Sequence, residues 1–163
     1  MNAAAELPWI AAARAQLGVR EIKGMAHNPV IVGFWKLARL GGIKNDEVPW
    51  CAGFVGAMLE ACHIRSARSD SSRAYLNWGE WIDAPEYGCI VVFRRPGGGH
   101  VGFCVGVDMH GRLLILGGNQ GDQVSIAPFD RARVTGYRRV PWPGARPILP
   151  VAADARLSSV DEA

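Results

Sequence analysis

The feature that most constrains this chain is a change of period near its middle. Up to about residue 79, apolar residues recur at helical offsets; from Gly88 onward they alternate. Residues 8–17 (PWIAAARAQL) read as a helix, with Pro8 in its first turn and Gly18 as its stop. Asn28 is placed to cap a second helix that has Pro29 at its first position and ends at Gly41–Gly42. Ile31, Phe34, Trp35 and Ala38 fall on one face of it. A third helix is expected over WCAGFVGAMLEACHI, capped by Asp46 or a neighbour, with Pro49 in its first turn. Its apolar stripe is Cys51, Val55, Met58, Leu59 and Cys62. A short fourth helix, about Ser71 to Trp78, is capped by Asp70 or a nearby serine and stopped by Gly79.

The second half reads as strands: Gly88–Arg94, His100–Asp108, Arg112–Gly118, one near Gln123–Ile126 and a last near Gly136–Val140. The first two form a hairpin around the loop Arg95–Gly99. Helices followed by strands predict an α+β fold, N-terminal helices packed on a small antiparallel β-sheet. A length of 163 residues without repeats or a linker is one domain. It is expected to span residues 1–143, with 144–163 an extended or disordered tail.

Composition narrows the function. A net charge of +3 is too mild for a nucleic-acid protein. The longest apolar run, Val48 to Leu59, is too short and too broken to span a bilayer, so no membrane insertion is expected. The N-terminus, with Glu6 early, does not read as a secretory signal, so synthesis in the cytoplasm is expected. The four cysteines, Cys51, Cys62, Cys89 and Cys104, contain no CxxC pair, so neither a zinc ribbon nor a thioredoxin motif is present. Cys62, Cys89 and Cys104 sit on core faces, and His27, His63 and His110 fall in loops or at a helix end.

Cys51 is different, because it lies in the first turn of a helix, where backbone N–H groups favour a thiolate. His100 starts a strand after a glycine-rich loop, and shares its face with Gly102, Cys104 and Gly106. That small-residue face leaves room for a helix carrying a nucleophile. Asn119 and Gln120 follow the next strand, with Asn119 on the face of Gly117 and Ile115. Thiol, imidazole and carboxamide in series make a cysteine acyl-transfer arrangement. The pattern alone leaves buried-cysteine packing open.

The segments PWCAGFV, GCIVVFRR, GGHVGFCVG and LILGGNQGDQV, with the opening PWIAAARAQLGVREIKG, resemble the NlpC/P60 and CHAP superfamily of papain-like peptidoglycan hydrolases. They are most similar to its small single-domain, phage endolysin-like group. The resemblance implies a papain-like fold, with Cys51 as nucleophile, His100 as general base and Asn119 as the third polar residue. Gly117 stands where many CHAP domains carry glutamate, which leaves orientation of the imidazole to Asn119, helped by Gln120. The acidic calcium loop of some CHAP lysins has no counterpart here, so neither metal nor cofactor is expected. Trp50 and Trp78 are candidates for lining a substrate groove, against core packing, and Glu21 for approaching the site, against a solvated loop. Arg94 and Arg95, beside the hairpin loop, read equally as contacts to a stem carboxylate and as an exposed basic turn.

The implied function is cleavage of an amide bond in the peptidoglycan stem, by an amidase or endopeptidase that acts as a monomer. Its site of action would be the periplasm or cell wall, reached through a phage holin or by injection. The competing readings are an interbacterial toxin, a non-catalytic wall-binding or virion module on the same fold, and an unrelated cysteine protease or transamidase.

Overall fold

A computed structural model describes residues 5–23, 27–45 and 49–152. The helical half comprises α1 (Pro8–Arg14), α2 (Pro29–Leu37), α3 (Cys51–Ala61) and a 3-10 segment, Ser72–Asn77. Six strands follow: β1 (Glu80–Ile82), β2 (Ile90–Arg95), β3 (Gly98–Val107), β4 (Leu113–Gly117), β5 (Ser125–Phe129) and β6 (Val134–Arg139). They form one antiparallel sheet in the order β1-β6-β2-β3-β4-β5. The α+β architecture with a small antiparallel sheet is the one expected.

The helix ends differ from the sequence reading. Asn28 does cap α2, its side chain accepting from the Val30 N–H at 2.9 Å. That helix stops at Leu37, short of the glycine pair. The Leu40 N–H bonds back to the Trp35 carbonyl, which puts Arg39 at a positive φ of 66°. α3 closes the same way, with Ile64 N–H on the Leu59 carbonyl and His63 at φ 60°. Both are left-handed caps on non-glycine residues, which glycine spacing does not reveal. α1 ends at Arg14 in tight i→i−3 turns that run on to Gly18, φ 91°. α3 starts at Cys51 with Trp50 as its cap residue, so Pro49 precedes the helix; the expected cap Asp46 lies outside the described residues. The fourth helix is of the 3-10 type, and Ser71, its cap residue, gives no side-chain cap.

The hairpin is tighter than expected. Arg95 pairs with Gly98, which leaves Pro96–Gly97 as a two-residue turn with Gly97 at φ 77°. β5 continues through Pro128, which an edge strand tolerates. The short strand β1 was not read from the sequence, because three residues carry too little alternation.

The core lies between helices and sheet. Every residue of α3 from Cys51 to Leu59 is buried, so this helix has no solvent face and runs through the middle. It packs on the sheet face that carries Val92, Val101, Phe103, Val105, Leu114 and Leu116. Large apolar side chains buried this fully stabilise the fold by roughly 1.5–3 kcal/mol each. The opposite face holds a second, smaller core: Cys89, Val91, Phe93, Cys104, Leu113 and Ile115. Residues 145–152 form no helix or strand and are tied to β3 by an isolated bridge: Val107 N–H bonds to the Pro150 carbonyl at 2.9 Å and Ala152 N–H to the Val107 carbonyl at 2.8 Å.

Glu60, near the end of α3, holds the segment that leads to Ser72–Asn77. It accepts from Ser66 N–H at 3.0 Å, from Ser66 Oγ at 2.8 Å and from Arg68 Nε at 3.0 Å. Burial works against its charge, but the bonds from Arg68 and Ser66 outweigh it and keep the carboxyl at about 2.

Candidate active site

The start of α3 is fixed from two sides. Trp50 is fully buried, and its indole N–H donates to Glu21 Oε1 at 2.7 Å. Glu21 is itself tied by its N–H to the Asp122 carbonyl at 2.9 Å. Gly118, just past β4, presses on the other side: a methyl there would come within 2.6 Å of the Trp50 ring and 2.7 Å of Phe54 Cβ. Cys51 is therefore delivered by a buried helix whose first turn has little freedom.

The position of its thiol follows from the sheet. Cys104 N–H bonds to the Cys89 carbonyl, so the backbone groups of Cys104, Gly102 and His100 face β2, while those of Phe103 and Val101 face β4. The β3–β4 ladder ends at Phe103 opposite Leu116, so Val101 N–H is left at an opening with no ladder partner on β4. Cys51 fills that opening. The N–H groups of Val101, Ala52 and Cys51 itself turn to its sulfur. Burial nonetheless dominates and raises the thiol above its ordinary pKa; the three N–H groups and the Arg95 charge only oppose it. A thiolate favoured by the helix end was expected, and it is absent because the helix end is buried.

His100, immediately before Val101, is 3% exposed. Its Nε2 lies 2.9 Å from Gln120 Oε1. The Gln120 amide cannot turn round. Its NH2 donates to the Ile115 carbonyl at 3.1 Å, to the Ser125 carbonyl at 3.0 Å and to Ser125 Oγ at 3.1 Å. An amide oxygen only accepts, so Nε2 carries the proton and Nδ1 presents its lone pair. Burial lowers the imidazole pKa to about 4; the Gln120 bond opposes this, and the Arg95 and Arg133 charges add to it. The ring also stacks on Phe129, centroids 5.2 Å apart and planes within 3°. At neutral pH the site thus holds a neutral thiol and a neutral imidazole of fixed tautomer.

The residues singled out from the sequence separate into groups. The carboxamide on His100 belongs to Gln120, one position past the expected Asn119. Strand alternation was extended through Asn119, but β4 stops at Gly117, and Asn119 turns the chain at φ 59°. The side chain of Asn119 makes no hydrogen bond among the described residues. The small-residue face of β3 does not receive the helix either. α3 packs on the Val101 face, and His100 shares its face with Phe93 and Cys104. Trp50 is fully buried in the core, and Glu21 serves as its partner. Trp78 is not among the residues that wall the cleft beside Cys51; it donates to the Arg65 carbonyl at 3.0 Å and packs edge-on against Tyr75.

The cleft beside Cys51, about 350 Å³, is walled instead by Pro49, Asp70 to Arg73, Arg95 and Gly97 to Gly99. Gly99 allows the close approach of this wall, since a methyl there would fall 2.6 Å from Ser72 Oγ. Ser72, Arg73 and the Val101 N–H were missed in the sequence because nothing local marks them. Among the described residues no group of three or more His, Cys, Asp or Glu side chains could hold a metal ion. None of their helices is long and apolar enough to cross a membrane.

Comparison with known families gives one result: residues 43–119 match the model of the CHAP domain. The match spans α3, the hairpin and β4, and includes Cys51, His100 and Asn119; Gln120 falls one residue beyond it. No curated protein matches the chain.

Proposed function

We propose that this chain, whose residues 43–119 match the model of the CHAP domain, is a thiol amidase or endopeptidase acting on the wall peptide stem. Its role is that of a phage lysin, brought to the wall by a holin-type pore. The observation that supports the reading is the seat of the Cys51 sulfur at the Val101 N–H, the residue next in sequence to a histidine whose tautomer is fixed.

In this mechanism Nδ1 of His100 takes the Cys51 proton as the sulfur attacks the scissile carbonyl. The neutral starting pair makes this a general-base step rather than attack by a resting ion pair. Gln120 Oε1 holds the Nε2 proton and steadies the imidazolium that forms. The N–H groups at the start of α3 and at Val101 receive the negative charge. The imidazolium then gives its proton to the leaving amine, and water, deprotonated by the same ring, hydrolyses the thioester. The catalytic unit is a single domain, residues 1–143, working as a monomer without metal or cofactor.

The test is turbidity loss and release of soluble muropeptides from purified sacculi. The wild type is expected to clear them and Cys51→Ala to leave them intact. Equal clearing by both would remove the thiol mechanism, and binding without clearing would make the chain a wall-binding module.

A further inference from the structure

The arginines of this protein are mostly engaged. Arg14, Arg68, Arg112, Arg139 and Arg146 pair with carboxylates. Around the hairpin, Arg94 donates to the Ala132 carbonyl at 2.8 Å, and Arg133 donates to the Arg94 carbonyl while lying over the Phe129 ring. Arg95 and Arg73 differ. Both are exposed, both line the Cys51 cleft, and among the described residues neither side chain has a hydrogen bond or an ion pair. Among the described residues the one acid lining that wall, Asp70, is within ion-pair distance of neither. Among the described residues that wall the cleft these positive charges are therefore not paired, and the Arg95 charge is felt at both Cys51 and His100.

A guanidinium presents a planar fork of donors that matches a carboxylate in two parallel bonds. We infer that Arg95, assisted by Arg73, is a specificity determinant that binds a free carboxylate on the substrate residue flanking the scissile amide. The inference rests on the proposed hydrolase reading and narrows it to stems whose carboxyl group at that position is not amidated. It also separates the two hairpin arginines: Arg95 reads substrate, and Arg94 is a structural clamp on the 131–133 turn.

The experiment compares kcat/KM on matched disaccharide-peptide muropeptides whose side carboxyls are either free or amidated. The wild type is expected to favour the free acid by about tenfold, the scale of one charge-assisted contact in a partly open site. Arg95→Gln should bring that ratio close to one, mainly through KM. Arg95→Lys should keep part of it, Arg95→Glu should reverse it, and Arg94→Gln should leave it as in the wild type. The wild-type preference should shrink as sodium chloride is raised. Equal use of both substrates by the wild type, or a preference that survives in Arg95→Gln, overturns the inference alone. Cleavage of neither form overturns the hydrolase reading and the inference with it.

Discussion

Replacing Gln120 by alanine should damage this protein twice over, and replacing its neighbour Asn119 should do almost nothing. The Gln120 side chain holds His100 at 2.9 Å and donates at 3.0–3.1 Å to two buried carbonyls and one hydroxyl. A net hydrogen bond contributes about 1 kcal/mol, and a buried partner left unsatisfied costs at least that much. Gln120→Ala should therefore destabilise the fold by about 3 kcal/mol. With the tautomer no longer imposed, kcat should fall by roughly 10²- to 10⁴-fold, as when the orienting member of other triads is lost. Asn119→Gly keeps the left-handed backbone at φ 59° and removes a side chain without partners among the described residues. Its kcat should stay within about threefold, since surface changes of this kind move little. Urea unfolding followed by circular dichroism measures the first effect. Initial rates of muropeptide release, taken where both variants are folded, measure the second. If Asn119→Gly abolished turnover while Gln120→Ala kept it, the orienting group would be Asn119 and the geometry described for His100 would be wrong.

Three further outcomes concern the same site. His100 is neutral in the fold down to about pH 4, whereas in the unfolded chain it gains a proton below about 6.5. Stability should therefore be unaffected by this group above pH 6.5 and fall by up to about 3 kcal/mol between pH 6.5 and 4; urea midpoints across that range should flatten in His100→Gln. For the same reason the acid limb of kcat/KM should lie near pH 4 rather than near 6.5, which a pH–rate profile reads directly. Gly118→Ala would drive a methyl against Trp50 and Phe54 and shift the start of α3. It should cost roughly 1–3 kcal/mol and depress kcat more than KM, measured by thermal melting and steady-state rates.

Much of this architecture was legible because period and punctuation agree. The Asn28–Pro29 start of α2, the switch to alternation at Gly88 and the presence of a hairpin connection between Arg95 and Gly99, though not its tight two-residue turn, all act locally. The parts that were not legible depend on contacts distant in sequence. The left-handed caps at Arg39 and His63 close helices whose ends are set by tertiary packing. The choice of Gln120 over Asn119 depends on where β4 stops, and that depends on Gly118 meeting Trp50. Cys51 stood out through its place at a helix start, but its raised pKa comes from burial of that helix end among residues far along the chain. Arg95 and Arg94 are indistinguishable as a dipeptide; only the 131–133 turn, which takes Arg94, tells them apart.

The most direct measurement is to acid-quench the enzyme during turnover of a stem peptide and map the protein by mass spectrometry. The account predicts an added mass equal to the acyl half of the substrate on the peptide containing Cys51, absent in Cys51→Ala, which should also release no product. Undiminished turnover by Cys51→Ala, or an acyl group on Cys62, Cys89 or Cys104 instead, would contradict it.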